Sequence, residues 1–271
     1  MEAALDDRPA LGKIDWRAPW LQDWCAAQED FTASDWRAAL SAMGDKLGLV
    51  NAKGLPVRFV EQQVLPDGAA YEAFIAATGC VPTRANLHDF FNALIWLSYP
   101  RIKRGLNTLQ ARELERDGVR NVRGRVRDGA TLFDENAALF VSADAVAIAA
   151  LLEHDWQALF LERREQYGQA WSVFPFGHAL LEKLTVPFKG ITAHAKVVHV
   201  EPAFFRLARV EQRAWLDEHV AYDVEQGLRS SDFTPLPVLG VPGWASGQNQ
   251  AYYLDRSVFR LKRARASMEP Q

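Results

Sequence analysis

Residues able to transfer protons or hold a metal ion are concentrated in three short stretches of this sequence. In the first, NLHDFFNALIW, His88 and Asn92 stand four residues apart. On a helix this pair presents an imidazole and an amide side by side, so His88 could act as acid or base while Asn92 positions a substrate. Asp89 could orient the imidazole. The alternative is architectural, with both side chains bonded to a neighbouring backbone, since a buried unpartnered polar group costs about 1 to 3 kcal/mol.

A second stretch, FGHALLE, predicts a metal site. It places His178 and Glu182 one helical turn apart, and His194 follows on a segment rich in β-formers. Two ligands from a helix and one from a strand could hold a divalent ion, whose open position would carry a nucleophilic water. The spacing matches no established metalloprotease motif, and a solvated His/Glu surface pair is the simpler interpretation.

The third stretch, RDGATLFDEN, contributes carboxylates. Asp128 and Asp134 are expected at strand ends, where such groups serve as acid, base or metal ligand. Asp134 is the stronger candidate because it adjoins an apolar run, and it could partner His88. Glu135 fits a turn better, because turns favour acidic residues that bond their own backbone.

Positive charge is concentrated between residues 101 and 127. The chain has a net charge of −3, yet this segment holds nine Lys or Arg against three acids. Lys103 and Asn107 share a helix face there, and Arg127 ends the segment, so they could bind an anionic small molecule or a nucleic-acid backbone. A solvated charged face is the default interpretation, and no nucleic-acid recognition motif accompanies the segment.

The elements that must position these residues are mostly helical. Residues 87–99 place Leu and Phe at helical spacing, with Thr83 expected as the N-cap and a break near Tyr99 because Pro100 cannot continue the helix. Residues 101–118 predict a second helix. A further helix is expected to begin with Pro175 at its first position.

Strands and a long loop complete the predicted architecture. NVRGRVRD and TLFDENAALFVS predict a small antiparallel sheet, the latter as a hairpin that turns at Glu135 and Asn136. The Pro/Gly-rich segment at 234–250 predicts a loop whose Trp244 could close over a ligand. We therefore expect an α+β fold, a mostly helical single domain over 13–265 around a small, mainly antiparallel sheet, with flexible ends at 1–12 and 266–271.

Composition and the chain ends predict a cytoplasmic protein with no membrane partner. Of the 271 residues, 49% are hydrophobic, as expected for an ordered globular protein. The first ten residues, MEAALDDRPA, carry acids where a secretory signal needs basic residues. The longest apolar run, AVAIAALL, is far shorter than the roughly 20 residues that span a bilayer.

With these segments laid out, the chain resembles a bacterial family catalogued as domain of unknown function 3025. The matching stretches are NLHDFFNALIW with the Pro and Lys that follow it, RDGATLFDEN, FGHALLE, LPVLGVPGW and VFR. The resemblance implies no activity, but it implies that several polar residues occupy motif positions of the family: His88, Asp89, Asn92, Lys103, Asn107, Asp128, Asp134, His178 and Glu182. Motifs this rich in His, Asp, Asn and Lys are more typical of a site than of a scaffold.

Two main hypotheses follow. The sequence contains no G-x-G-x-x-G, P-loop or G-x-S-x-G motif, which argues against nucleotide-binding and α/β-hydrolase folds. The first hypothesis is a small-molecule hydrolase with acid/base or metal-assisted chemistry and, if the metal site forms, a divalent ion as cofactor. The second is a non-catalytic protein that binds an anionic ligand or nucleic acid through residues 101–127. In a third, structural interpretation, the polar groups only fix helix packing.

Overall fold

The fold is α+β, with helices surrounding a small sheet. A computed structural model describes residues 9–25, 31, 35–117 and 125–262, so most of the two ends predicted to be flexible lies outside these ranges. The helices within them are α1 (Trp36–Lys46), α2 (Tyr71–Thr78), α3 (Leu87–Ser98), α4 (Pro100–Asp117), α5 (Arg125–Asn136), α6 (Ala145–Glu153), α7 (His178–Lys183), α8 (Arg209–Glu225) and α9 (Gln250–Tyr253). The strands are β1 (Arg58–Val60), β2 (Cys80–Pro82), β3 (Ala137–Ser142), β4 (Trp171–Pro175), β5 (Thr192–His199) and β6 (Phe233–Pro237).

The main sheet is mixed, whereas the sequence predicted a mainly antiparallel one. Its strand order is β4-β3-β5-β6. β3 runs antiparallel to β4 and parallel to β5, and β5 runs antiparallel to β6. All six residues of β3 are buried, as expected for an apolar strand covered on both faces. β1 and β2 form a separate parallel pair.

The hairpin predicted at Glu135 and Asn136 is wrong, because residues 125–136 form helix α5. Of the preceding predicted strand, residues 121–124 lie outside the described part of the chain and the rest belongs to α5. Gly129 obscured the helix in the sequence. Any Cβ at this position would lie 2.4 Å from the carbonyl oxygen of Leu228, so close packing, and not a strand or turn, requires the glycine.

Helix α3 is capped differently from the prediction. The Asn86 side chain accepts the N–H of Asp89 at 2.8 Å and is the N-cap. Thr83 instead donates its hydroxyl to the carbonyl of Val81 at 2.7 Å. The break at Pro100 is confirmed, since α3 ends at Ser98 and Pro100 opens α4.

The start of α4 is held by a carboxylate from α8. Asp217 accepts the backbone N–H groups of Arg101 and Ile102, with distances of 3.0 Å to its Oδ1. A free helix N-terminus leaves such donors without intrahelical partners, so this contact substitutes for a local cap. Lys103 lies in the same first turn of α4, and Asn107 follows about one turn later.

Two other sequence predictions need correction. Pro175 does not open a helix; it is the last residue of β4, and α7 begins at His178. The Pro/Gly-rich segment is not wholly a loop, because its first residues belong to the edge strand β6, a position that tolerates proline. Trp244 of this segment is buried against Trp20, with ring centroids 5.7 Å apart.

Helix α3 lies inside the apolar core. Every residue from Asp89 to Trp96 is buried, and its apolar side chains belong to one connected cluster with those of β3, β4 and α7. Its polar residues therefore occupy positions that packing strictly constrains. Among the described helices, none combines the length and apolar character needed to cross a membrane.

Gly177 sets the distance between α7 and the end of α5, which predicts a large effect of Gly177→Ala. A Cβ there would lie 2.5 Å from both the Asn136 nitrogen and the Glu135 carbonyl oxygen. We expect the substitution to lower the free energy of unfolding by about 2 to 3 kcal/mol, measured by urea denaturation. Gly190→Ala is the control, since its Cβ would meet only Phe188 ring atoms at 3.4 and 3.6 Å. Equal losses in the two variants would contradict the prediction.

Candidate metal centre

Helices α2 to α5 and α7 surround an open cavity of 390 Å³. Most of its wall is polar. Its lining residues are Gln62, Leu65, Tyr71, Glu72, Arg84, His88, Asp89, Asn92, Gln110, Thr131, Asp134, Glu135 and His178. The stretches singled out in the sequence around residues 88, 134 and 178 therefore converge on one cleft.

At one end of the cavity, three side chains converge with metal-ligand geometry. Nε2 of His88 and Nε2 of His178 are 3.0 Å apart, and Oε2 of Glu135 lies 4.0 and 3.6 Å from them. A triangle with these sides has a circumscribed radius of about 2.1 Å, which matches Zn–N and Zn–O bond lengths of about 2.0 to 2.2 Å. One point therefore lies at bonding distance from all three atoms.

The His88 ring is oriented by a carboxylate behind it. Its Nδ1 donates to Oε2 of Glu182 at 3.0 Å. This contact leaves a lone pair on Nε2 of a neutral ring, directed at His178. Metal-ligating histidines are commonly held in this way by a carboxylate on the far nitrogen. Glu182, which the sequence predicted to be a metal ligand, therefore contacts His88 and is not one of the three converging residues.

His178 is neutral at neutral pH. Burial lowers the pKa of its imidazole to about 4, an effect that the charge of Asp134 opposes and that of Lys103 reinforces. The Nδ1 atom is buried without a hydrogen-bond partner among the described residues, and Oδ2 of Asp134 is 3.9 Å away.

The proton positions on the two rings point to a cation between them. If His178 carries its proton on Nε2, this N–H can donate to Nε2 of His88. The unprotonated Nδ1 of His178 then faces the Asp134 carboxylate, which cannot donate to it. If the proton is on Nδ1, two Nε2 lone pairs oppose each other at 3.0 Å. A proton or a metal ion between the Nε2 atoms satisfies both rings. The adjacent Glu135 carboxylate could supply a third ligand to a metal ion at this point.

A buried ion pair between Lys103 and Asp134 lies next to His178. Lys103 donates to Oδ1 of Asp134 at 2.6 Å and to the Asn92 side chain at 2.8 Å, and Asn92 donates to the Tyr71 hydroxyl at 3.2 Å. Burial alone would raise the pKa of Asp134, but the Lys103 ammonium holds it below its usual value. Lys103 is 4% exposed, so it is neutralised within the protein and is not available to hold an anionic ligand.

Two further carboxylates of the cavity wall lie on α2 and at the start of α3. Asn107 donates its side-chain amide to the carbonyl oxygen and to Oε2 of Glu72, at 2.9 and 2.6 Å. Arg84 donates from Nε and Nη2 to the two carboxylate oxygens of Asp89, and its backbone N–H also bonds this carboxylate. Asp89 therefore closes the loop before α3 and does not orient His88.

Four predicted site residues lie elsewhere or cannot be placed. Asp128 is exposed on the first turn of α5, away from the cavity lining. His194 lies on β5 in register with Ala137 and is not one of the three converging residues. Trp244 packs in the core and does not cover the cleft. The side chain of Arg127 lies outside the described part of the chain.

Sequence reasoning missed eight residues of the cavity lining, among them the polar residues Tyr71, Glu72, Arg84 and Glu135. Glu135 was assigned to a turn because α5 was interpreted as a hairpin. Had α5 been recognised, adjacent acids at its end would have been expected to project in different directions, about 100° apart. Nothing in the local sequence distinguishes Glu72 or Arg84 from other surface charges.

Comparison with known proteins identifies the family of the chain. A family model described as protein of unknown function (DUF3025) matches residues 57–263, and the chain belongs to this family. The match includes every residue of the cavity lining. No curated protein and no solved structure matches the chain.

The low pKa of His178 predicts acid sensitivity of the metal-free protein. Between pH 6.5 and 4 the unfolded chain binds a proton at this ring that the folded chain does not, so the free energy of unfolding falls as the pH drops through this range. The loss should reach about 3 kcal/mol in chelator-treated protein, measured by urea unfolding across the range. His178→Gln should show a shallower dependence. Parallel pH profiles of the two proteins would contradict this assignment.

Proposed function

We propose that the protein is a metal-dependent hydrolase that acts on a small molecule bound in the cleft. The observation that carries the proposal is the point at about 2.1 Å from Nε2 of His88, Nε2 of His178 and Oε2 of Glu135. Two imidazoles and one carboxylate are a ligand set of catalytic zinc sites, which keep a further position open for water.

Such an ion would lie beside the cavity, because His88, Glu135 and His178 all line it. A bound divalent cation lowers the pKa of its water to about 7 and polarises the scissile carbonyl or phosphoryl oxygen. The chain itself supplies orientation: Glu182 fixes His88, while Asp134, held by Lys103, lies behind His178. In this proposal His88 is a ligand, and not the acid or base that the sequence suggested.

Metal content tests the proposal directly. Protein loaded with Zn²⁺ and passed through a desalting column should retain about one ion per chain, measured by mass spectrometry of the metal. His178→Ala and Glu135→Gln should lose it, because each removes one of three ligands. Glu182→Gln should keep the ligands but weaken zinc affinity by about 10- to 100-fold, the usual effect of removing a carboxylate behind a ligating histidine.

His194→Ala is the matched control, because it removes a half-buried imidazole outside the converging set. It should retain the metal and the activity of wild type toward p-nitrophenyl acetate, which chelation should abolish and zinc restore. Metal retention in His178→Ala, or its loss in His194→Ala, would contradict the proposed centre. If no metal binds and an anionic polymer binds with steep salt dependence, the binding hypothesis for residues 101–127 is favoured instead.

A further inference from the structure

Glu72 differs from the other carboxylates of the cavity wall because no cationic side chain of the described residues pairs with it. Within the described residues, no ion pair involves its side chain, and its Oε2 accepts only the amide of Asn107. Asp89 forms an ion pair with Arg84, and Asp134 forms one with Lys103. Glu135 would be neutralised by the proposed metal ion.

Asn107 holds the Glu72 side chain in place. Asn107 is 2% exposed, and its amide orientation is fixed because the NH2 group donates to two oxygens of Glu72. Its Oδ1 is consequently buried without a hydrogen-bond partner among the described residues. Asn107 does not line the cavity, so the acceptor that faces the cavity here is the Glu72 carboxylate. An ammonium, which has three donors and no acceptor, fits such a group.

We propose that Glu72, held in place by Asn107, binds a primary ammonium group of the substrate. The inference rests on the proposed hydrolase, and it names the substrate class as a small amine-bearing amide or ester. This substrate class replaces the anionic ligand that the sequence predicted for residues 101–127.

The positions of Glu72 and the metal centre support this assignment. Lys103, which contacts Asp134 behind the metal centre, and Asn107, which contacts Glu72, lie one turn apart on α4, a rise of about 6 Å. Glu72, His88, Glu135 and His178 line the same cavity, so one small ligand with an ammonium and a carbonyl can contact Glu72 and the centre together. Amides and esters of amino acids have this arrangement.

Electrostatics favours a cationic group over an anionic one. Burial raises the pKa of Glu72, and the charge of Lys103 offsets this only in part. A bound ammonium would stabilise the ionised form. Conversely, the cations beside the cleft are already engaged, Arg84 by both oxygens of Asp89 and Lys103 by Asp134.

Two hydroxamates that differ only in the amine test the subsite. Alanine hydroxamate and propionohydroxamate both chelate a divalent ion, but only the first carries an ammonium. With zinc-loaded wild type, calorimetry should give a Kd about 10- to 100-fold lower for alanine hydroxamate, the range for one charge-assisted hydrogen bond. Glu72→Gln should reduce the preference to less than about twofold while leaving the Kd of propionohydroxamate unchanged.

Two further variants separate the subsite from general effects. Glu72→Asp keeps the charge on a shorter side chain and should retain part of the preference. Glu115→Gln removes an equal charge from an exposed position on α4 and should retain all of it. Equal binding of the two hydroxamates by wild type, or a preference that survives Glu72→Gln, would overturn the proposal.

A metal-free measurement distinguishes failure of the subsite from failure of the hydrolase. Propylammonium, titrated into chelator-treated protein and followed by saturation-transfer NMR, should bind wild type and Glu115→Gln but not Glu72→Gln. Binding with this pattern supports the subsite even if the protein retains no zinc. Its absence in wild type would overturn the subsite and leave the metal centre standing.

Discussion

The approach of the two imidazole nitrogens of His88 and His178 to 3.0 Å is the contact on which the rest of the site depends. On the opposite side of each ring, Nδ1 of His88 donates to Glu182, and Nδ1 of His178 lies 3.9 Å from Oδ2 of Asp134. When the proton of each ring is on Nδ1, the two Nε2 lone pairs face each other, and a cation between them would satisfy both. Glu135 completes a set of three ligand atoms around that point.

The fold maintains this contact by rigid packing. His88 lies on α3, which the core encloses, while Glu135 and His178 are brought together by the close approach of α5 and α7 at Gly177. The buried pair of Lys103 and Asp134 joins α4 to the same point. Ligands carried by three packed helices can be held to within a few tenths of an ångström, which a preorganised metal site needs.

Much of the architecture was predictable from the sequence, but the sequence did not predict which residues meet in the site. Apolar spacing and Pro100 predicted α3, the break and α4, because these signals are local. Helix α5 was missed because Gly129, which serves a contact with Leu228, resembles a turn residue. The types of His88, Asp134 and His178 marked them as candidates. Which of them meet depends on tertiary packing, and no local pattern encodes that.

The most direct test of the account is the coordination shell of the bound metal. X-ray absorption of the zinc-loaded protein should show two imidazole nitrogens and one or two oxygens at about 2.0 to 2.1 Å, with no sulfur. In His178→Ala protein, which should retain no zinc after desalting, the signature of two imidazoles should be absent. A shell with no imidazole, or one unchanged by removal of His178, would contradict a centre built on these two histidines.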